Sequence, residues 1–242
     1  MGKRTAIVTG GTRGIGEEIS KQLSKQGYQV VANYASNDER AKQFEQSSGI
    51  PVMKWDVSSF EECQKHAAEI QAKYGTVSVL INNAGITRDT TMQRMSYDQW
   101  RDVIMTNLDS CFNMSRAVID GMRGQKFGRI VNIGSVNGQM GQYGQVNYAA
   151  AKSGIHGFTK ALAQENAKKG ITVNAIAPGY VDTDMVRAVP EDVLAKIIQR
   201  IPIGRLGKAS DIARAVLFLT ADDAEFITGA TLTINGGQYM TS

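Results

Sequence analysis

Short apolar runs recur along the chain, each bounded by Gly, Asn or charged residues and most followed by a stretch of helical period. Ala6-Ile7-Val8, Val30-Val31-Ala32, Val79-Leu80-Ile81 and Ile130-Val131 are unbroken by polar residues, which suits strands covered on both faces. The pattern predicts seven strands, at Thr5–Thr9, Gln29–Ala32, Val52–Trp55, Val77–Ile81, Arg129–Ile133, Thr172–Ile176 and Thr231–Ile234. A helix runs to Leu23 after the first of them, and amphipathic stretches separate the others. With no internal repeat and no dividing linker, this β/α alternation predicts an α/β fold: one doubly wound parallel sheet in a single domain, residues 1–242, with helices on both faces. Ligands of such sheets gather beyond the carboxyl ends of the strands, so the residues just after each strand are the candidates for chemistry.

Composition narrows the function classes. With 42% apolar and 21% charged residues in 242, the chain can bury a sizeable core. No window holds the roughly 18 unbroken apolar residues of a membrane span, so no membrane association is expected. Met1 to Gly11 is too weakly apolar for a signal peptide, and Gly2 has Ala6 where a myristoylation signal wants a hydroxyl. Cys63 and Cys111 are too few for a disulfide framework, and no Cys/His cluster has metal-ligand spacing. A cytoplasmic location and no metal are therefore expected. The 27 cations and 23 anions are scattered, which disfavours a nucleic-acid partner.

The 25 glycines are in excess, and four follow the first strand in Thr9-Gly10-Gly11-Thr12-Arg13-Gly14-Ile15-Gly16. Glycines at 10, 14 and 16 permit a tight turn, let backbone N–H groups approach a pyrophosphate and bring the next helix close to the sheet. Such a motif is weak alone; the strand before it and the helix after it give it meaning. Past the second strand, an acid would bind a ribose 2′-hydroxyl and repel a 2′-phosphate. The chain reads Ala32-Asn33-Tyr34-Ala35-Ser36 there, with no acid until Asp38, while Arg13 inside the loop can hold a phosphate by charge-assisted bonds. NADP(H) is the expected cofactor. Arg40 could assist or could be a solvated helix residue. Asp56, followed by Val57, suits either an adenine amino group or a helix N-cap.

The densest chemical signal lies between Ser135 and Lys152. Tyr148 and Lys152 stand four residues apart, about 400° around a helix, and so share a face. A free phenol titrates near 10; bringing it to neutrality would need roughly 4 kcal/mol, for which a neighbouring ammonium is the expected source. Tyr148 could then exchange protons with an alcohol or carbonyl oxygen. The hydroxyl of Ser135, after the fifth strand, could hydrogen-bond the same oxygen.

Taken in order, Thr9–Gly16, Asp56, Asn82-Asn83-Ala84-Gly85, Asn107, Ser135, Tyr148-x-x-x-Lys152, Asn174 and Pro178-Gly179 resemble the short-chain dehydrogenase/reductase family over essentially the whole chain. The resemblance implies a Rossmann-type fold and assigns roles. Tyr148 would be the acid–base, with Ser135 orienting the carbonyl. Lys152 would lower the tyrosine pKa and bind the nicotinamide ribose, and Asn107 would hold a water in a relay to that lysine. Asn83, Ala84 and Gly85 would border the cofactor, and Pro178, Gly179 and Thr183 its nicotinamide end. A homotetramer is implied, with Gly229–Met240 buried between subunits. Gly134 stands where many members carry Ser.

Within the family, the stretches from Asn83 to Asp89 and from Ser135 to Gln145, with Tyr180 and Asp184, resemble reductases of short 3-oxoacyl-CoA thioesters. Those acting on acyl-carrier-protein thioesters are close by. Asp89, Gln139, Gln142, Tyr143, Gln145 and Tyr180 are the candidate substrate contacts: the amides could meet a thioester and pantetheine arm, and the rings a short acyl chain. The same loop can be read as polar surface. Residues 182–200 resemble a substrate-covering helical segment, with Gly179 as a hinge. Arg123, Lys126, Lys168 and Lys169 could face CoA phosphates or an acidic carrier protein, or be solvated helix ends. A non-catalytic NADP sensor would need the glycine loop but neither Tyr148 nor Lys152.

Overall fold

In the computed structural model, which describes residues 3–187 and 189–240, seven parallel strands form one sheet in the order β3-β2-β1-β4-β5-β6-β7. Gly2 and Ala188 lie outside the described residues. The strands are β1 (Thr5–Val8), β2 (Gln29–Tyr34), β3 (Val52–Lys54), β4 (Val77–Asn82), β5 (Gly128–Ile133), β6 (Ile171–Pro178) and β7 (Thr231–Ile234). All seven expected strands are present, with ends displaced by a few residues; β2 and β6 run on to Tyr34 and Pro178 at the carboxyl edge. The helices are α1 (Gly14–Lys25), α2 (Asp38–Ser48), α3 (Phe60–Tyr74), α4 (Tyr97–Ile104), α5 (Ser110–Gln125), α6 (Val136–Met140), α7 (Val146–Asn166), α8 (Asp184–Arg187), α9 (Glu191–Gln199) and α10 (Ala209–Thr220).

Alternation along the strands divides the core in two. Ala6, Val8, Val30, Val79, Ile81 and Val131 face Ile19 and Leu23 of α1 and Ile212, Val216 and Leu219 of α10. Ile7, Val31, Leu80, Ile130 and Val173 face Cys63, Ala67 and Ile70 of α3 and Met114, Val118 and Met122 of α5. Burial holds the Cys63 and Cys111 thiols protonated, their pKa values pushed up to about 12 and about 11. Among the described residues, no helix is long and apolar enough to cross a membrane.

Strand order reverses direction at β1, whose neighbours are β2 on one side and β4 on the other. The loops after β1, β4, β5 and β6 consequently converge at one end of the sheet. Arg123, Lys126, Lys168 and Lys169 lie at the other end. Lys126 stands two residues before β5 and Lys168–Lys169 precede β6, while Arg123 donates to Asn166 at 2.9 Å. All four are exposed at helix ends, which agrees with their reading as solvated helix ends and not with cations facing CoA phosphates or a carrier protein.

Candidate active site

The glycine loop is built for close approach. Gly10 and Gly14 have φ of 59° and 54°, and a Cβ on Gly16 would sit 2.1 Å from the Gly10 carbonyl oxygen. Arg13, extended and exposed, precedes α1 without a side-chain cap, so that end of the helix is open to an anion. Thr12 is buried, and Ile15 packs on the core beside α10. Thr183 lies over the loop, its Cγ2 3.5 Å from where a Gly14 Cβ would stand.

Two asparagines brace this loop from inside. Asn83 donates Nδ2 to the carbonyls of Thr9 (2.9 Å) and Gly10 (3.2 Å), while the backbone N–H groups of Asn83 and Ala84 donate to Thr9 Oγ1. Asn33 accepts from the Gly10 N–H through Oδ1 at 3.2 Å and donates to the Trp55 carbonyl at 2.9 Å. Asn33 was legible only as a missing acid; its inward amide is a further positioning element. Asp38, the first acid beyond it, is bound to Lys54 at 2.8 Å, and this bond holds its carboxyl below the usual range. Arg40, a partly exposed helix residue, pairs at the surface with Asp184 of α8 at 2.9 Å and approaches Glu17 at 3.8 Å.

Asp56 caps no helix, because Ser59 occupies the N-cap of α3. Its Oδ1 accepts from the backbone and hydroxyl of Ser58, both at 2.8 Å, in a local turn beyond β3. Val57 is buried, with its carbonyl taken by Asn113 at 3.0 Å.

Ser135, Tyr148, Lys152 and Asn107 come together where β4 and β5 end. Ser135 is the N-cap of α6, accepting from the Asn137 N–H at 3.1 Å, and its hydroxyl acts on the Tyr148 phenol to lower its pKa. Buried Asn147 fixes the start of α7, donating to the Arg88 and Gln99 carbonyls and accepting from the Tyr148 N–H at 2.8 Å. Lys152 is buried one turn on, its Nζ 5.7 Å from the Tyr148 ring centroid. Gly138 must be glycine, because a Cβ there would stand 2.7–2.9 Å from the Lys152 backbone and Cβ and the Ser153 N–H. Asn107 sits in a π-helical turn, Met105–Asp109, between α4 and α5. Its amide clasps the Ile86 backbone, accepting from the N–H at 2.8 Å and donating to the carbonyl at 2.9 Å. Gly85 faces both the Asn107 amide and the Lys152 ammonium, a Cβ there standing 3.2 Å from Asn107 Oδ1 and 3.6 Å from Lys152 Nζ.

The expected lowering of the Tyr148 pKa is not found. Burial pushes the phenol up to about 12, against the opposing hydrogen bond from Ser135. Burial likewise brings the Lys152 ammonium down to about 8. Lys152 donates to the Ile133 carbonyl at 2.7 Å, so its charge is directed at β5 and not at the phenol oxygen.

The candidate substrate contacts divide into two sets. Gln142 and Tyr143 are exposed at the mouth, Tyr143 at 87%, and Tyr180 is partly exposed after β6. Gln145 instead bridges Asn137 (2.9 Å) and Asp89 (2.7 Å), tying α6 to the loop after β4. Gln139 spends both amide atoms on Thr233 of β7, at 3.0 and 3.3 Å, which departs from its reading as a donor to a thioester. Pro178 ends β6, and Gly179 packs against Asn235, where a Cβ would come within 2.8 Å. No residue of α9 is buried.

A parallel doubly wound sheet with this loop and a Ser/Tyr/Lys/Asn cluster at its carboxyl edge defines a nicotinamide-dependent oxidoreductase. The family model described as enoyl-(acyl carrier protein) reductase matches residues 10–239, and the chain belongs to that family of short-chain dehydrogenases/reductases. It is 61% identical over 238 residues to the acetoacetyl-CoA reductase of Rhizobium meliloti (98% of this chain, 99% of the relative). It is 59% identical to that of Shinella zoogloeoides, with the same coverage. The 3-oxoacyl-(acyl-carrier-protein) reductase FabG of Pseudomonas aeruginosa is 47% identical over 242 residues, 98% of each chain.

Proposed function

We propose that the chain reduces acetoacetyl-CoA with NADPH to (R)-3-hydroxybutanoyl-CoA. The carrying observation is the convergence of a protonated Tyr148, the Ser135 hydroxyl and the Lys152 ammonium at the carboxyl edge of β5, beside a glycine loop whose uncapped helix end is open to an anion. The dinucleotide supplies a hydride. The residues of this chain do the rest. Ser135 holds the 3-oxo oxygen, and Tyr148 gives it a proton as negative charge develops, so that one hydride and one proton convert C=O to CH–OH. A phenol titrating near 12 is almost wholly protonated at neutral pH, the state a reductase needs. Lys152, with a pKa near 8, is suited to return a proton to Tyr148, and Asn107 positions the wall against which that relay runs.

The choice of NADPH is supported by exposed Arg13 in the loop, by the inward-turned Asn33 and by Asp38, whose charge Lys54 counters. The thioester reading is supported by the relatives named for acetoacetyl-CoA and by exposed Gln142 and Tyr143 at the mouth. A carrier-protein thioester is the second reading, carried by the 47% identical FabG relative. Comparing NADPH consumption with acetoacetyl-CoA and acetoacetyl-acyl-carrier protein at matched low concentrations separates them. A tenfold advantage in kcat/KM for CoA, about 1.4 kcal/mol, upholds the proposal; the reverse preference replaces it with the second reading, and inactivity with both removes the 3-oxoacyl thioester.

A further inference from the structure

Edge strand β7 carries Thr231 and Thr233, two residues apart and therefore on one face of the sheet. Thr231 Oγ1 lies 3.1 Å from Nδ1 of His156, one helical turn past Lys152 and two past Tyr148 on α7. Thr233 Oγ1 accepts from Gln139 Nε2 and donates to Gln139 Oε1, on α6, four residues past Ser135. Alternate hydroxyls of a single strand thus hold both helices of the catalytic cluster. The strand is itself fixed at each end. Asn174 donates to the Ile227 carbonyl at 2.7 Å and accepts from the Ala230 N–H at 3.1 Å where the chain enters β7. The Gly179 N–H donates to the Ile234 carbonyl at 2.9 Å where it leaves.

We infer that Thr231 and Thr233 form a two-point clamp that sets Ser135 against Tyr148 and Lys152, making Gln139 and His156 positioning residues. The inference rests on the roles proposed above and deepens them. Helix α6 is five residues long, too short to hold a direction by its own hydrogen bonds, so side-chain anchors fix it. Asn137–Gln145 anchors it toward the loop after β4, Ser153 bonds the Gly138 carbonyl from α7, and Gln139–Thr233 holds the side facing β7. Among the described residues, His156 Nε2 is buried without a partner, against Gly134, so the ring relies on Thr231 for its hydrogen bond. Lys152 and Lys160 are the charged groups that act on this ring. A shift of order 1 Å at reacting groups costs about a hundredfold in rate, so modest slack at either anchor is visible in turnover.

The test uses Thr233→Val, Gln139→Leu, their double variant, Thr233→Ser and Thr231→Val in the full chain. The substrates are acetoacetyl-CoA and a truncated acetoacetyl thioester, and amide hydrogen exchange is followed over residues 135–140. Expected are a fall in kcat of about tenfold for each Val or Leu variant with both thioesters, KM held within about twofold, and a double variant no worse than the singles. Thr233→Ser restores turnover, and exchange in 135–140 quickens in Thr233→Val. A raised KM for acetoacetyl-CoA in Gln139→Leu, with Thr233→Val at full kcat, would make Gln139 a substrate contact and overturn the clamp. Exchange unchanged in Thr233→Val overturns it as well. If the wild-type protein reduces neither thioester, the function proposed above fails, and the exchange measurement alone decides the clamp.

Discussion

Lys152 donates its ammonium to the carbonyl of Ile133, 2.7 Å away, across the base of the site. The bond satisfies a buried cation that, among the described residues, pairs with no carboxylate, and it joins the catalytic helix to the end of β5. The chain holds this charge at a cost in stability, because burial brings the ammonium down to about 8.

That cost has a pH signature. Below pH 8 the ammonium is charged in both the folded and unfolded states, and the fold bears the whole desolvation penalty; between about 8 and 10.5 only the unfolded chain retains the proton, and the penalty fades. Lys152→Met is therefore expected to raise the melting temperature at pH 7, with the gain shrinking toward pH 10.5, while turnover is lost. A melting series of both proteins from pH 6 to 10 checks the sign; a gain that grows with pH would contradict it.

Tyr148→Phe removes the proposed proton donor and should lower kcat by at least about a hundredfold while leaving NADPH binding intact, as read by cofactor fluorescence. Because burial holds the phenol near 12, reduction should show no loss between pH 6 and 8 traceable to this group, whereas oxidation of the hydroxyacyl product should climb steeply with pH. Equal pH profiles in the two directions would count against Tyr148 as the donor.

Arg13→Ala should separate the two dinucleotides. Hydrogen bonds to a charged phosphate contribute about 1.5–3 kcal/mol, so the dissociation constant for NADPH is expected to rise on the order of ten- to a hundredfold and that for NADH to stay put. Titration of both cofactors by calorimetry tells whether the guanidinium reads the 2′-phosphate; a parallel loss for both would assign it to the shared pyrophosphate.

Gly138→Ala tests how closely α6 and α7 are packed. The added methyl would come within 2.7–2.9 Å of backbone and Cβ atoms of Lys152 and the backbone N–H of Ser153, so one helix must move. A loss of about 1–3 kcal/mol is expected, with a fall in kcat larger than any change in KM. Denaturant unfolding alongside steady-state kinetics measures the two effects in the same preparation.

His156 should make the fold sensitive to acid. Burial first, then Lys160 and Lys152, lower its pKa from 6.5, so the unfolded chain takes up the proton earlier and stability falls as pH drops below about 6.5. His156→Gln should flatten that slope in urea midpoints between pH 7 and 5.

Sequence spoke most clearly where a single element decides the outcome. Runs such as Val79-Leu80-Ile81 suit strands buried on both sides, the glycines of Gly10–Gly16 announce a loop without room for side chains, and the four-residue step from Tyr148 to Lys152 fixes a shared helical face. The place of two solvated cations was legible as well: residues just ahead of a parallel strand lie at its amino end, which puts Lys126 and Lys168 away from the site. What stayed hidden depends on partners distant in the chain. Whether Gln139 looks outward or toward β7 is decided by Thr233, 94 residues on. The direction of the Lys152 charge is decided by the Ile133 carbonyl, and nothing local marks Asn33 as an internal brace.

The π-helical turn Met105–Asp109 holds one residue more than a regular helix would use there. Removing any one of the five would mend the hydrogen-bond ladder and yield a straighter, better-formed helix. It would also turn everything on one side of the cut by about 100° and take Asn107 off the Ile86 backbone, or carry α5 out of its seat on the sheet. Length variation among natural or engineered versions of this chain should therefore fall elsewhere. Selection for stability alone would discard this surplus residue, so its retention would mark a version that still works.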